Sequence, residues 1–453
     1  MPSLTVGELS PGGEGRVAVA LSGGGHRASL FGLGVLIYLA DCGKNRSVAS
    51  IASVSGGSLT NACVAQELDF SASTPADFRR VAAVVTTQVG QRGTLWAVRG
   101  TWAYVVLLPL GGLAALVAVV RFVEIALAWR ICAIVGVLLL VSMLARMRGR
   151  VCASAFAKTL LSRGGKPTKL SEVNHSVDHV ICATELHSGE HLYFSGRFVC
   201  SYRFGFGVPG NLGLHDAVQA SAAFPGAFPP RWFPAQRHRF SDAGDERARG
   251  TRRLVLVDGG TYDNMGTEWA LGVPRRNREW GAGLNEADEL VVVNSSAPLD
   301  WSSTRLLLLP LVNEVVALKR DIDVLYDTTT STRRRWLFDT FGSDEGRMRG
   351  AFVQISQSPF HVARQFAQGH DDAAQRARAV LGSLGDTERS WDEVVRANST
   401  VKTTLSKLGG EVAARLVHHG YALAMANLHV VLGYPLLDMP PREDFERLAG
   451  VRP

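Results

Sequence analysis

Short apolar runs bounded by small or polar residues recur along the first two-thirds of the chain. Residues 17–21, 50–54, 179–184, 254–257 and 290–294 each form such a run, the pattern of buried strands. Helix-like segments separate them, and that alternation predicts an α/β layered fold. Beyond residue 295 the pattern turns mostly helical. Residues 305–326 carry apolar side chains at helical spacing, residues 371–384, 391–398 and 411–432 read as further helices, and residues 351–355 read as one more strand. The glycine-rich stretch 204–213 and the charged stretch 236–253 read as loops.

One insertion interrupts the alternation. Residues 102–120 contain no charged side chain, close to the roughly twenty that a helix needs to cross a bilayer. A second apolar stretch, residues 125–145, is broken only by Arg130, and Arg121 and Glu124 form a polar turn between the two. Trp96, Trp102 and Tyr104 lie at the first entry and Trp129 near the tip, where an aromatic belt belongs. Arg92 and Arg99 precede the pair, and Arg146, Arg148 and Arg150 follow it, which places both outer ends in the cytoplasm by the positive-inside bias. Pro109 is tolerated in a membrane helix, and Arg130 is near enough to a helix end to snorkel. The expectation is a transmembrane hairpin, ahead of a monotopic insertion or a buried soluble pair.

Two glycine-rich turns flank a predicted helix near the N-terminus: Ser22-Gly23-Gly24-Gly25-His26-Arg27 and Ser53-Val54-Ser55-Gly56-Gly57-Ser58. Each closes an apolar run and opens onto a helix. In acyl transfer a strand–turn–helix presents a nucleophilic serine, and a glycine-rich turn offers backbone N–H groups to a developing oxyanion. A phosphate cradle would need a following Gly-Lys-Ser/Thr or the dinucleotide spacing, and neither is present. A third element, Asp258-Gly259-Gly260, puts a carboxylate at the end of the run 254–257. The charged loop 236–253 feeds that strand, so it is expected near the site entrance.

Together these blocks resemble the patatin-like phospholipase family. The resemblance spans roughly residues 17–294, and implies a three-layer α/β/α core and a Ser/Asp dyad that needs no histidine. It carries Gly23, Gly24, Gly25 and Arg27 onto the oxyanion turn, Ser55 onto the nucleophile and Asp258 onto the acid. Ala220-Ser221-Ala222-Ala223-Phe224-Pro225, Phe228-Pro229-Pro230, Cys182-Ala183-Thr184-Glu185-Leu186 and Asn264 resemble further parts of the family pattern. Ser53 departs from it, standing where the elbow has its first glycine.

Composition narrows the remaining options. At 46% hydrophobic residues the chain can bury a sizeable core, and a net charge of +7 spread along the sequence matches no nucleic-acid module. The six cysteines form no Cys-x-x-Cys pair and read as buried thiols of a reducing compartment, and the N-terminus lacks a secretory signal pattern. Other residues were open to two readings. Arg27 at a helix start calls for a partner, a structural carboxylate or a substrate phosphate. His26 is expected as a satisfied structural histidine, and His187 and His191 lack a third ligand for a metal. The run Arg333-Arg334-Arg335 before Trp336-Leu337-Phe338 suits either lipid headgroups or a solvated basic face.

The expected chain is thus an α/β protein in four parts: residues 1–100 and 148–300 forming the two halves of the core, 101–147 the hairpin, and 301–453 a mostly helical C-terminal region. Its expected activity is carboxylic ester hydrolysis on a membrane phospholipid or related lipid ester, with neither cofactor nor metal and no nucleic-acid partner. The bilayer is engaged through residues 102–145, with the catalytic core on the cytoplasmic side. The alternatives are a membrane-anchored pseudoenzyme scaffold, suggested by Ser53, and a Ser-Asp-His esterase drawing on His361, His370, His418, His419 or His429.

Overall fold

The computed structural model describes residues 15–122, 126–241, 248, 250–296, 298–299, 310–342, 348–385 and 387–451. The N-terminal segment up to residue 14, Glu124 of the hairpin turn, part of the charged loop 236–253 and the start of the helix expected at 305–326 lie outside the described residues.

One ten-stranded mixed sheet organises the molecule. Its strands are β1 (Val17–Leu21), β2 (Val48–Val54), β3 (Asp178–Glu185), β4 (Glu190–Phe194), β5 (Val199–Ser201), β6 (Gly205–Gly207), β7 (Arg231–Phe233), β8 (Leu254–Asp258), β9 (Glu289–Asn294) and β10 (Arg349–Gln354). Their order is β10-β9-β1-β2-β3-β4-β5-β6, parallel from β10 to β3 and antiparallel from β3 outward, while β8 pairs antiparallel with β3 and β7. The central parallel strands are covered on both faces, so they are buried along their length and are mostly apolar, with Ser50 and Ser53 of β2 among the buried polar exceptions. The stretch 204–213, expected to be loop throughout, contains β6.

Alternate side chains of each strand enter opposite layers. Val17, Val19 and Leu21 of β1 join a core with helices α1 (Gly25–Asp41), α2 (Gly56–Glu67) and α3 (Pro75–Thr87), whereas Ala18 and Ala20 face the other layer beside Ala270 and Leu337. Between the layers' sequences come α4 (Arg99–Phe122), α5 (Leu127–Ala145), α6 (Arg148–Thr159) and α7 (Leu214–Ser221). The second face is covered by α8 (Gly260–Asp263), α9 (Glu268–Trp280) and the long α10 (Pro310–Gly342). The C-terminal region supplies α11 (Pro359–Ala367), α12 (Asp372–Ser383), α13 (Glu388–Ser399), α14 (Gly410–Leu432) and α15 (Arg442–Leu448). Helix α14 lies directly on α1: a Cβ on Gly420 would sit 2.1 Å from the Phe31 carbonyl oxygen.

Helices α4 and α5 stand apart from this core. Each is long and apolar enough to cross a membrane, and neither is buried inside the protein. They pack on each other, with the Tyr104 hydroxyl donating to the Leu144 carbonyl at 2.8 Å, while Leu107, Leu127 and Met143 are 65%, 72% and 69% exposed. Packing into the protein core, the fate of a soluble helical pair, is not what these helices do.

Candidate active site

Strand pairing brings the two ends of the site together. Strand β2 pairs with the first half of β3, up to Val54 opposite Cys182, and β8 pairs with the second half of the same edge, ending with Asp258 opposite Ala183. The strands therefore point at one another. Ser55 leaves β2 where β8 stops at Asp258.

Ser55 turns sharply into α2 with φ 49° and ψ −115°, a backbone conformation that a β-carbon disfavours by about 1–3 kcal/mol. Its surroundings hold it there. The Ser55 N–H donates to Ser221 Oγ at 2.9 Å, and the Ser221 hydroxyl, at the end of α7, donates to the Cys182 carbonyl at 2.6 Å. Gly56 must be glycine, since a Cβ would lie 2.0 Å from the Gly25 carbonyl oxygen. The departure at Ser53 is fully accommodated: its buried hydroxyl donates to the Val180 carbonyl at 3.1 Å and accepts from Ser58 Oγ and Asn61 Nδ2.

The Asp258 carboxyl is buried, and burial pushes its pKa up to about 7. A hydrogen bond from the Gly260 N–H at 2.8 Å and the neighbouring Ser55 side chain pull in the opposite direction. A carboxylate that titrates near neutrality beside a serine hydroxyl is suited to accept its proton.

Across the elbow, Gly24 and Gly25 turn the chain with φ values of 137° and 61°. They lead into α1, whose first N–H groups have no intrahelical acceptor. The Gly23 N–H donates to the Asn264 carbonyl at 2.9 Å and so is not available to an oxyanion, contrary to its place in the expected donor set. The N–H groups of Gly24 and Gly25 have no acceptor among the described residues. Arg27 pairs with no carboxylate among the described residues: its buried Nε donates to the Ser295 carbonyl at 2.9 Å and its Nη1 to the Val401 carbonyl, while the side chain also lines the cavity over the site. It braces the turn. His26 is buried between Ser406 O and Thr94 Oγ1, and burial lowers its pKa to about 4, the satisfied structural histidine expected.

A cavity of about 650 Å³ opens over these groups. Leu95, Trp96, Phe224, Phe228, Leu299 and Leu405 give it apolar walls, and Arg320, Asp323, Tyr326 and Asp327 reach it from α10. No histidine lines it among the described residues, so the late histidines of the triad alternative are not at hand. His419 is instead held by Asn398 and the Gln357 carbonyl, and His429 by the Tyr434 carbonyl. His191 contacts the Gly259 carbonyl and His187 pairs with Glu185; among the described residues no three His, Cys, Asp or Glu side chains are grouped to hold a metal. Of the basic run on α10, Arg333 pairs with Glu268 and Arg334 with Gln354, which fixes that helix to the core.

The family model for patatin-like phospholipases matches residues 19–271, which include both glycine turns, the hairpin and Asp258. The chain belongs to the patatin-like phospholipase family. No curated protein matches it. Among solved structures, VipD from Legionella pneumophila aligns with 13% identity over 97% of this chain and 88% of its own, at a TM-score of 0.27. The patatin-like region alone does not complete the site. Thr403, Thr404 and Leu405 line the cavity from the C-terminal region, and Thr404 O accepts the His26 N–H at 2.9 Å. The segment 403–405 carries no local sequence signal for its role, and Ser221, although it lies in a stretch that resembles the family pattern, shows its bond to the elbow only through tertiary contacts.

Proposed function

We propose that the chain is a membrane-associated serine lipid acyl hydrolase that uses Ser55 as nucleophile and Asp258 as its base. The observation that carries this reading is the meeting of Ser55, on a strained elbow, with the buried Asp258 carboxyl at the junction of two strands, where burial raises the carboxyl's pKa to about 7. Ionised Asp258 takes the hydroxyl proton as Ser55 Oγ attacks the ester carbonyl carbon. The N–H groups of Gly24 and Gly25 stabilise the resulting oxyanion. As the tetrahedral intermediate collapses, the alkoxide leaves with the proton that Asp258 returns. Water, deprotonated by Asp258, then attacks the acyl-serine, and the second tetrahedral intermediate collapses to release the fatty acid as Asp258 returns that proton to Ser55 Oγ.

The substrate is a membrane phospholipid or related lipid ester. The apolar cavity walls suit an acyl chain, and the cavity mouth adjoins the hairpin: Trp96, which lines it, packs against Trp102 with tilted rings at a centroid distance of 5.0 Å. In this reading residues 101–147 form a two-helix membrane hairpin between the core halves 1–100 and 148–300, and residues 301–453 brace the site from the C-terminal side. The flanking arginines keep the core in the cytoplasm. The accommodation of Ser53 in a hydrogen-bonded niche counts against a pseudoenzyme.

The test is fatty-acid release from mixed phospholipid micelles by the purified full chain. Ser55→Ala and Asp258→Asn should each abolish most turnover, and the double variant should be little worse than either, as expected of groups that act as a unit. Strictly additive losses, or wild-type rates in either variant, contradict the dyad.

A further inference from the structure

A second cavity lies at the foot of the hairpin, well separated in sequence from the catalytic turns. It measures about 350 Å³ and is lined by Met143, Arg146, Met147, Gly149 and Arg150, from the end of α5 and the start of α6, and by Gln219 of α7 with Pro229 to Trp232. Its polar chemistry has one sign. Among the described residues no ion pair or side-chain hydrogen bond is found for Arg146 or Arg150. Arg231 is already engaged, donating to Asp216 and to Gln219 Oε1. That second bond fixes the Gln219 amide. Its Nε2 is left buried without a partner in a side chain only 1% exposed.

A buried amide N–H₂ without an acceptor costs about 1–3 kcal/mol, so a group that supplies an oxygen there is favoured. Every uncommitted polar side-chain group lining the cavity is a donor: two guanidinium groups and one amide. The rim is apolar, with Met143 and Trp232 exposed to 69% and 56%. A donor-only pocket beneath an apolar rim, at the point where two membrane helices meet the protein, matches an anionic phosphate whose acyl chains continue into the bilayer.

We infer that the cavity between α5, α6, α7 and β7 binds the phosphate headgroup of one anionic phospholipid, through Arg146, Arg150 and Gln219. The inference rests on the reading of the hairpin as embedded in a membrane. The site is distinct from the catalytic cavity, though α7 is common to both, since Ser221 holds the elbow two residues beyond Gln219.

The experiment is a native mass-spectrometry titration of the detergent-solubilised full chain with phosphatidylglycerol, phosphatidylcholine and inorganic phosphate. Wild type should retain one phosphatidylglycerol in preference to phosphatidylcholine. Arg146→Gln/Arg150→Gln should weaken phosphatidylglycerol retention roughly thirtyfold, as two juxtamembrane arginines imply. Gln219→Leu should weaken it further when added. Arg148→Gln is the control, because Arg148 is exposed and does not line the cavity. An equal loss in Arg148→Gln means diffuse attraction and overturns the site. Phosphatidylcholine retained as well as phosphatidylglycerol, or inorganic phosphate bound as tightly as the lipid, overturns the headgroup assignment. Carbonate extraction of membranes from the same cells separates the two readings: a chain released as soluble protein defeats the hairpin and the lipid source together, whereas a retained chain without lipid selectivity defeats only this site.

Discussion

Ser55 and Asp258 meet because β2 and β8 run toward each other along a single edge of β3, ending opposite Cys182 and Ala183. The head-on arrangement buries the carboxyl at the junction of two strands, beside the Ser55 side chain and within a hydrogen bond of the Gly260 N–H. Burial and base strength follow from the same geometry.

That geometry sets a pH dependence for the reaction. As the proposed base, Asp258 would act only when ionised, so kcat/KM should rise with pH and level off above a midpoint near 7. Initial rates on a non-ionising ester between pH 5 and 9 check this. A profile that is already flat at pH 5 would mean the carboxyl is an ordinary one.

The same carboxyl should weaken the fold at high pH. Its folded pKa of about 7 lies above the ordinary carboxylate value, so between about pH 4 and 7 the folded state holds a proton that the unfolded chain has lost. Stability therefore falls as pH rises through that window, by an amount on the order of 4 kcal/mol in the limit of full burial. Asp258→Asn removes the penalty. Its melting temperature in detergent should exceed that of wild type at pH 8 and the difference should shrink toward pH 5, while hydrolysis is lost at both.

The central strands were readable from sequence because parallel strands buried on both faces are written as near-continuous apolar runs, as at Val17–Leu21 and Leu290–Val293. The glycine turns were readable because their backbone excludes other residues, as at Gly56. The meander β4–β6 was not, since its strands are short and mix Glu190 and His191 with aromatics and glycines. Helix α10 runs to Gly342, past the expected end at residue 326, because contacts such as Arg333 with Glu268 sustain it through a threonine-rich stretch of weak helix formers. Arg27 and Gly23 had partners that no local pattern could reveal: the carbonyls of Ser295, Val401 and Asn264 come from distant segments.

The hairpin carries the membrane reading. Deleting residues 102–145 should release the chain from carbonate-washed membranes, because apolar insertion, unlike surface charge, is not screened by salt. The deletion should spare hydrolysis of a small soluble ester and lower turnover of bilayer lipid. Full-length protein recovered in the soluble fraction without detergent contradicts this account.

The central claim is that a carboxylate alone activates Ser55, and the most direct measurement is covalent labelling by a fluorophosphonate, with the modified residue located by peptide mass spectrometry. Wild-type chain should be labelled at Ser55, at a rate that rises through pH 7, and labelling should fall by at least about a hundredfold in Asp258→Asn, in keeping with the contribution of a positioned general base. Labelling of another serine, or an undiminished rate at Ser55 in Asp258→Asn, would contradict it.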